Sequence, residues 1–371
     1  MGFCGSLFFS THMSMNPLLL QHIHTNFEQE LSLASQNHKT SLAFILNTIP
    51  DKPFVKNGDI FQAIAIGGSM YRNAILKKHN GKISIQSEIT DKLPLFALEE
   101  DFLSFIDAHI DTNIEVLALN LAYPLEPVFE NGRLDGKLMR GTKEHTFAGL
   151  VNKKIGKEIE TYMWERHKKK IIVSVANDTV CLILSGLQQT TWDHLVAGVL
   201  GTGLNFAIFL DKHTIVNLEA ARFDKFPQTE TGKAVDACSN MKGYGLFEKE
   251  VSGAYLYQHF NQLVLTKQID HEPLTDTTQL SNLAEKNIGG ASDAAQEQLE
   301  RSAAFAATQI AGIASFKKQP MTFIMQGSLF WKGYKYKETV EKYLQQLIPD
   351  YRITFISIAD SDVLGAAKLV S

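Results

Sequence analysis

Apolar and polar positions divide the chain into stretches of helical and strand period. Over 16–46, Leu18, Leu19, His22, Ile23, Phe27 and Leu31 recur three and four apart, which predicts a helix that Pro50 and Pro53 follow. Residues 60–66 form an apolar run, Gly67-Gly68-Ser69 a turn, and 71–76 a second run. His79-Asn80-Gly81 then predicts a hairpin turn, and 82–88 alternate as a third strand. The three make an antiparallel meander. Phe102, Phe105, Ile106 and Ile110 place one apolar face on a helix over 101–110. A strand follows at 116–122, then a polar stretch carrying Gly132 and Gly136, and a helix over 154–168.

The centre of the chain is 171–180, IIVSVANDTV. Its β-branched start predicts a buried strand, and the apolar residues after Thr179 suit a helix, so Asp178 falls at a strand-to-helix junction. An aspartate there is either a helix cap or a group at the carboxyl end of a strand, where open α/β sheets bind ligands. The earlier pattern then repeats, with apolar runs at 194–200, 205–210 and 214–218 and Gly201-Thr202-Gly203 after the first of them. Two meanders of one layout predict an internal duplication. Their glycine turns, 67–69 and 201–203, would face each other across a cleft with backbone N–H groups free for phosphate oxygens. Helices are predicted over 246–260, 299–316, 337–347 and 362–370, strands over 321–325 and 351–358, a polar stretch over 228–242, and a polar, loop-rich stretch with short helical pieces over 266–298.

Composition adds bounds. A length of 371 residues favours two domains. With 44% hydrophobic and 20% charged residues and a net charge of -4, nothing asks for nucleic acid. Cys4, Cys181 and Cys238 form no metal-ligand or disulfide pattern, and a reducing cytoplasm is the expected setting. No apolar stretch has the length of a membrane span, so no membrane association is expected. The start, MGFCGS, matches an acylation pattern at Gly2 with Cys4 as a second site, although Met13 and Met15 are alternative starts.

VANDTV (175–180), GVLGTGLN (198–205), VNLE (216–219), FEKEVSGAYL (247–256) and GTKEH (141–145) occur in an order and spacing that resemble the hexokinase family. IAIGGSMYR (64–72) resembles its first phosphate loop, GSLFW (327–331) its adenosine segment, and ADSDVLGAAKLV (359–370) its terminal helix. The resemblance implies an α/β chain with the actin-like ATPase (ribonuclease H-like) fold, two duplicated lobes around a nucleotide and sugar cleft. It implies an N-terminal segment and helix over 1–55, a small lobe over 56–177 completed by 359–371, and a large lobe over 178–358.

The activity it implies is transfer of the ATP γ-phosphate to the 6-hydroxyl of a hexose, glucose first, with Mg²⁺. Asp178 takes the place of the base. Thr142, Lys143, Asn177, Asn205, Glu219 and Glu248 match sugar-contacting positions, and Lys143 also stabilises developing charge. Gly67, Gly68, Ser69 and Arg72 match the first phosphate loop, Gly201, Thr202 and Gly203 the second, and Gly327 and Ser328 the adenosine segment. No residue is assigned as a direct metal ligand.

The chain also departs from the family pattern. Ala65 replaces an aspartate that holds the metal through water, Met70 an asparagine, Ala122 a serine and Gln326 an aspartate, while Val363 and Leu364 fill a small glycine-rich turn. The sugar side is largely kept and the nucleotide side eroded. The alternative to a kinase is therefore a weak or inactive relative that binds a sugar as a sensor or interaction protein.

Overall fold

The computed structural model of this chain describes residues 15–142, 144–267 and 269–371. Helix α1 (Pro17–Ser35) leads to strand β1 (Ile45–Thr48). The first meander is β2 (Ile60–Ile66), β3 (Met70–His79) and β4 (Lys82–Lys92), followed by α2 (Glu99–His109) and β5 (Val116–Leu121). Then come a hairpin of β6 (Leu125–Glu130) and β7 (Arg133–Leu138), α3 (Ile155–His167), β8 (Ile172–Ala176) and α4 (Asp178–Ser185). The second meander is β9 (Leu195–Leu200), β10 (Leu204–Asp211) and β11 (Thr214–Asn217). After it run α5 (Glu230–Cys238), α6 (Leu246–Val251), α7 (Leu256–Lys267), α8 (Thr277–Lys286) and α9 (Gly289–Lys317). The chain closes with β12 (Met321–Gln326), α10 (Ser328–Lys332), α11 (Tyr336–Leu347), β13 (Ile353–Ile356) and α12 (Ser361–Lys368).

The duplication is visible in the sheets. One has the order β4-β3-β2-β5-β8, the other β1-β11-β10-β9-β12-β13. In each, three antiparallel strands are followed by two that run parallel to the first, β5 and β8 beside β2, β12 and β13 beside β9. The first strand of each meander is central and buried on both faces, which is why 60–66 and 195–200 read as nearly continuous apolar runs. The outermost strand, β4, is mostly exposed and alternates. Asn80 and Gly81 both have positive φ, as the tight turn between β3 and β4 requires.

Helices α4 and α12 pack together between the two sheets, α4 against β9 and β10 and α12 against β2 and β5. Their contact is close because position 365 is glycine: a Cβ there would lie 1.8 Å from Cys181 O. Asp178 thus starts a helix that touches both halves.

Several elements differ from expectation. The helix predicted over 16–46 stops at Ser35, Asn37 turns into the left-handed region, and β1 adds to the edge of the second sheet through β11. Helix α1 also packs on α9, so the N-terminal segment is built into the six-stranded half. The polar stretch after Pro124 is the β6–β7 hairpin, turned at Asn131-Gly132, both with positive φ. The helix expected over 246–260 breaks at Ser252-Gly253, where Gly253 N–H donates to Gly201 O at 2.7 Å. Helix α5 lies within 228–242, read as polar, whereas α8 is one of the short helical pieces expected within 266–298. Among the described residues no helix is long and apolar enough to cross a membrane. Gly2 and Cys4 lie outside the described residues.

Candidate active site

Strand β8 delivers the chain to Asn177, whose Oδ1 caps α4 by accepting Thr179 N–H at 3.0 Å. The cap is Asn177. Asp178 follows at the first helical position, accepts the same N–H at 2.8 Å, and lines a cavity of about 650 Å³ between the two sheets. Asp178 Oδ1 thus shares the capped N–H with Asn177, while the residue also lines the cleft.

A polar network runs from Asp178 into the second meander. Thr179 Oγ1 lies 3.3 Å from Asp178 Oδ1 and 3.3 Å from Asn205 Nδ2. Asn205 Nδ2 donates to Asn217 Oδ1 at 2.7 Å, and Asn217 Nδ2 donates to Glu219 Oε1 at 3.1 Å. Asn205 Oδ1 accepts from Phe206 and Ala220 N–H, fixing the side chain at both ends. Glu219 has φ +51°, a left-handed conformation that costs energy in a residue with a Cβ. Helix α6 aims Glu248 at this group, and its Oε2 accepts Leu204 N–H at 2.9 Å. Burial raises the Glu248 pKa, the Leu204 N–H opposes this, and the negative charge of Glu219 adds to it. The two carboxylates therefore sense one another across a shared space. Thr179 and Asn217 were absent from the sequence-derived set. Asn217 lies within VNLE, and an amide in a buried strand was the signal for it.

Helix α6 is held from behind. Lys249 and Glu250 are buried on either side of its backbone, Lys249 donating to Asp236 Oδ1 at 2.5 Å and Glu250 paired with Arg301. Glu248 is the member of this charged run left to the site.

The two glycine turns are shaped differently. Gly67 N–H donates to Met70 O at 3.0 Å, closing the first turn on itself, while Gly68 is half-buried and Ser69 exposed. In the second, Gly201 N–H donates to Gly203 O at 3.1 Å, and Thr202 is exposed. Gly327 has φ +117°, and a Cβ on it would lie 2.2 Å from Leu200 O, so the start of α10 rests directly on the second turn. Of the predicted residues, Gly67, Arg72, Asp178, Gly327 and Ser328 line the cavity. Asn205 and Glu219 belong to the adjoining network, Asn177 meets it at Thr179 N–H, and Glu248 lies beside it on Leu204 N–H. Thr142 is half-buried and its carbonyl accepts His145 N–H at 3.0 Å, in a tight turn where a Cβ on Gly141 would lie 2.1 Å from His145 O. Lys143 lies outside the described residues.

Arg72, expected to meet phosphate, is engaged by three carboxylates: Glu88, Asp360 at 2.5 Å and Asp362 at 3.2 Å. Burial opposes its charge, but these partners outweigh burial and hold the guanidinium well above its ordinary range. Ala65 is 6% exposed on the cavity wall and registers with Asn120 of β5. Asn120 Nδ2 donates to Asp362 O at 3.2 Å, while its buried Oδ1 accepts no hydrogen bond from any described residue. Among the described residues no group of three or more His, Cys, Asp or Glu converges as a metal cage.

Comparison with known proteins agrees with this architecture. A hexokinase family model matches residues 195–298 and 293–371. Hexokinase-2 of Solanum tuberosum is 24% identical over 274 residues, 64% of this chain and 54% of that protein. Hexokinase-1 of Spinacia oleracea is 23% identical over 292 residues, 69% of this chain and 57% of that protein. The chain thus spans about half the length of the curated relatives it matches. Among solved structures, a Schistosoma mansoni hexokinase complexed with glucose superposes with TM-score 0.76 at 19% identity, covering 96% of this chain and 95% of that one. A ROK family glucokinase from Streptomyces griseus, in complex with glucose and AMPPNP, gives 0.56 at 17% identity, covering 84% and 99%. The fold is that of the actin-like ATPases. The family match over 195–371 and the same order of elements in both lobes support a divergent member of the hexokinase family.

Proposed function

We propose that this protein is a hexose kinase that transfers the γ-phosphate of ATP to the 6-hydroxyl of a hexose, glucose first, with Asp178 as general base. The observation that carries the reading is the placement of Asp178 on the cavity wall, linked through Thr179 to the Asn205–Asn217–Glu219 network. A polyol needs several fixed donors and acceptors around it, and Asn177, Asn205, Glu219 and Glu248 supply amides and carboxylates, each with two hydrogen-bonding atoms. With the sugar held there, Asp178 accepts the proton of the attacking hydroxyl. Thr142 and Lys143 are assigned to the sugar side from the sequence, where a lysine ammonium would offset charge developing on the transferred group.

The phosphate chain lies, on this reading, between the turns at Gly67-Gly68-Ser69 and Gly201-Thr202-Gly203, with Gly327 and Ser328 toward the nucleoside. Magnesium takes few protein ligands when phosphates supply the rest. The residues fit an ion that arrives with the nucleotide: Asn120 Oδ1, buried beside Ala65 without a described partner, would hold one of its waters. When bound, the ion neutralises charge on the phosphoryl oxygens. Two of the cysteines, buried Cys181 and exposed Cys238, are free thiols, in keeping with the cytoplasmic setting proposed.

A second reading, a sugar binder with no turnover, is favoured by Ala65 together with the pairing of Arg72 to three carboxylates. A coupled ADP-release assay with glucose, mannose and fructose separates the two. Turnover that disappears in Asp178→Ala supports the kinase, and turnover no higher than that variant's leaves the binder.

A further inference from the structure

The cavity as a whole carries one more carboxylate than cation, the proposed base Asp178 included. Among the described residues lining it, Asp178, Asp360 and Asp362 stand against Arg72 and Lys332. Arg72 is also paired outward to Glu88 on the neighbouring strand. Its guanidinium has five N–H donors, three of which go to carboxylates, both on Nη2 included, and the three negative charges offset its attraction for a phosphate oxygen. Asp362 is the member that closes this arrangement over the cavity. It sits in the first turn of α12, where Oδ1 accepts Val363 N–H at 2.9 Å and Arg72 Nη1–H at 3.2 Å, and its backbone carbonyl accepts Asn120 Nδ2–H. Two bonds hold the carboxylate, from its own helix and from β3, and a third, from β5, holds the backbone of the same residue, on the wall of a cavity read as taking a polyanion.

We propose that Asp362 determines which form of the nucleotide the cleft accepts: it repels the bare phosphate chain and keeps Arg72 from it, so that nucleotide binds only as its divalent-metal complex. The inference rests on the cleft taking a nucleotide, as in the kinase reading. Like charges a few ångströms apart in a partly buried site repel strongly, and a divalent cation on the phosphates reverses the sign of that term. No acidic cage for the metal is needed, because the metal's part toward the protein is to mask phosphate charge from Asp178, Asp360 and Asp362.

The test is calorimetric titration of the full chain with ADP, in excess Mg²⁺ and in chelator, for wild type and for Asp362→Asn. The asparagine keeps the shape and the contact to Val363 N–H while removing the charge. Wild type is expected to bind ADP with Mg²⁺ at least about tenfold more tightly than in chelator, and the variant to recover metal-free binding by on the order of tenfold, closing that gap. Glucose affinity is expected to be equal in the two proteins, which shows the variant folded. Equal metal-free ADP affinity in both, or no ADP binding by either, overturns the proposal.

A measurement on wild type alone gives a second check. Repulsion is screened by salt, so metal-free ADP binding should hold or tighten as salt rises; weakening, as at a basic site, overturns the proposal. Failure of the kinase reading appears separately, as loss of glucose binding or turnover.

Discussion

The two ends of the cleft, proposed above as its sugar end and its phosphate end, are built from duplicated meanders, yet their polar groups are spent differently. At the sugar end, Asn205, Asn217 and Glu219 form a chain of hydrogen bonds, and Glu248 arrives on a helix held by buried pairs behind it. Internal bonds there orient side chains and leave oxygens facing a common space. At the phosphate end, Arg72 spends its donors on Glu88, Asp360 and Asp362, and Ala65 offers no polar atom. A pre-arranged site and a self-satisfied one differ in whether the internal partners orient the functional group or consume it.

The largest effect that would sharpen this contrast is at Asp178. Asp178→Ala is expected to reduce hexose turnover about 10²- to 10⁴-fold, with glucose affinity changed only a few-fold, measured by coupled assay and calorimetry. Equal loss of both would make Asp178 a sugar-holding group alone. Next is Asn217→Ala, which severs the link between Asn205 and Glu219 without touching the cavity wall. Glucose affinity should fall about tenfold while MgADP affinity stays the same, since one buried amide leaves partners unsatisfied at each side.

Ala65→Asp tests the phosphate end. It restores a carboxylate beside Asn120 and should tighten MgATP and raise turnover by a few-fold at low Mg²⁺. A fall would mean that the added charge joins the repulsion already present.

Glu248→Gln carries the smallest effect. Burial raises the Glu248 pKa in the folded protein, so the folded state holds its proton more tightly than the unfolded one. Stability from this group is therefore present in acid and is lost as pH rises through the ordinary carboxylate range to the raised value. Glutamine keeps the acceptor for Leu204 N–H and carries no charge. The variant should unfold about 1–3 °C higher at neutral pH, flatten the pH dependence of the midpoint, and bind glucose less tightly. Thermal melts across that pH range check it.

The sequence was legible where period and turn chemistry are local. The two meanders, the Asn80-Gly81 turn and the Asp178 junction follow from alternation, glycine and a strand-to-helix switch within a few residues. Asn131-Gly132 carried the same hairpin signal between β6 and β7 and was passed over because the flanking strands are short and polar. Strand β1 was absorbed into the helix before it, since its four residues have only the edge of a distant sheet to define them. Partners of Arg72 lie near the opposite end of the chain, at Asp360 and Asp362, beyond the reach of any local pattern. Thr179 and Asn217 act through bonds to other side chains, and sequence spacing does not register that.

The most direct test of the account is a pair of titrations on the full chain: glucose into the protein, then MgATP into the protein saturated with glucose and into the protein alone. Glucose is expected to bind by itself and MgATP to bind more tightly once glucose is present, with ADP formed as the titration proceeds. MgATP binding to a protein that takes up no glucose would contradict it, because the Asn205–Asn217–Glu219 network would then not be a sugar site.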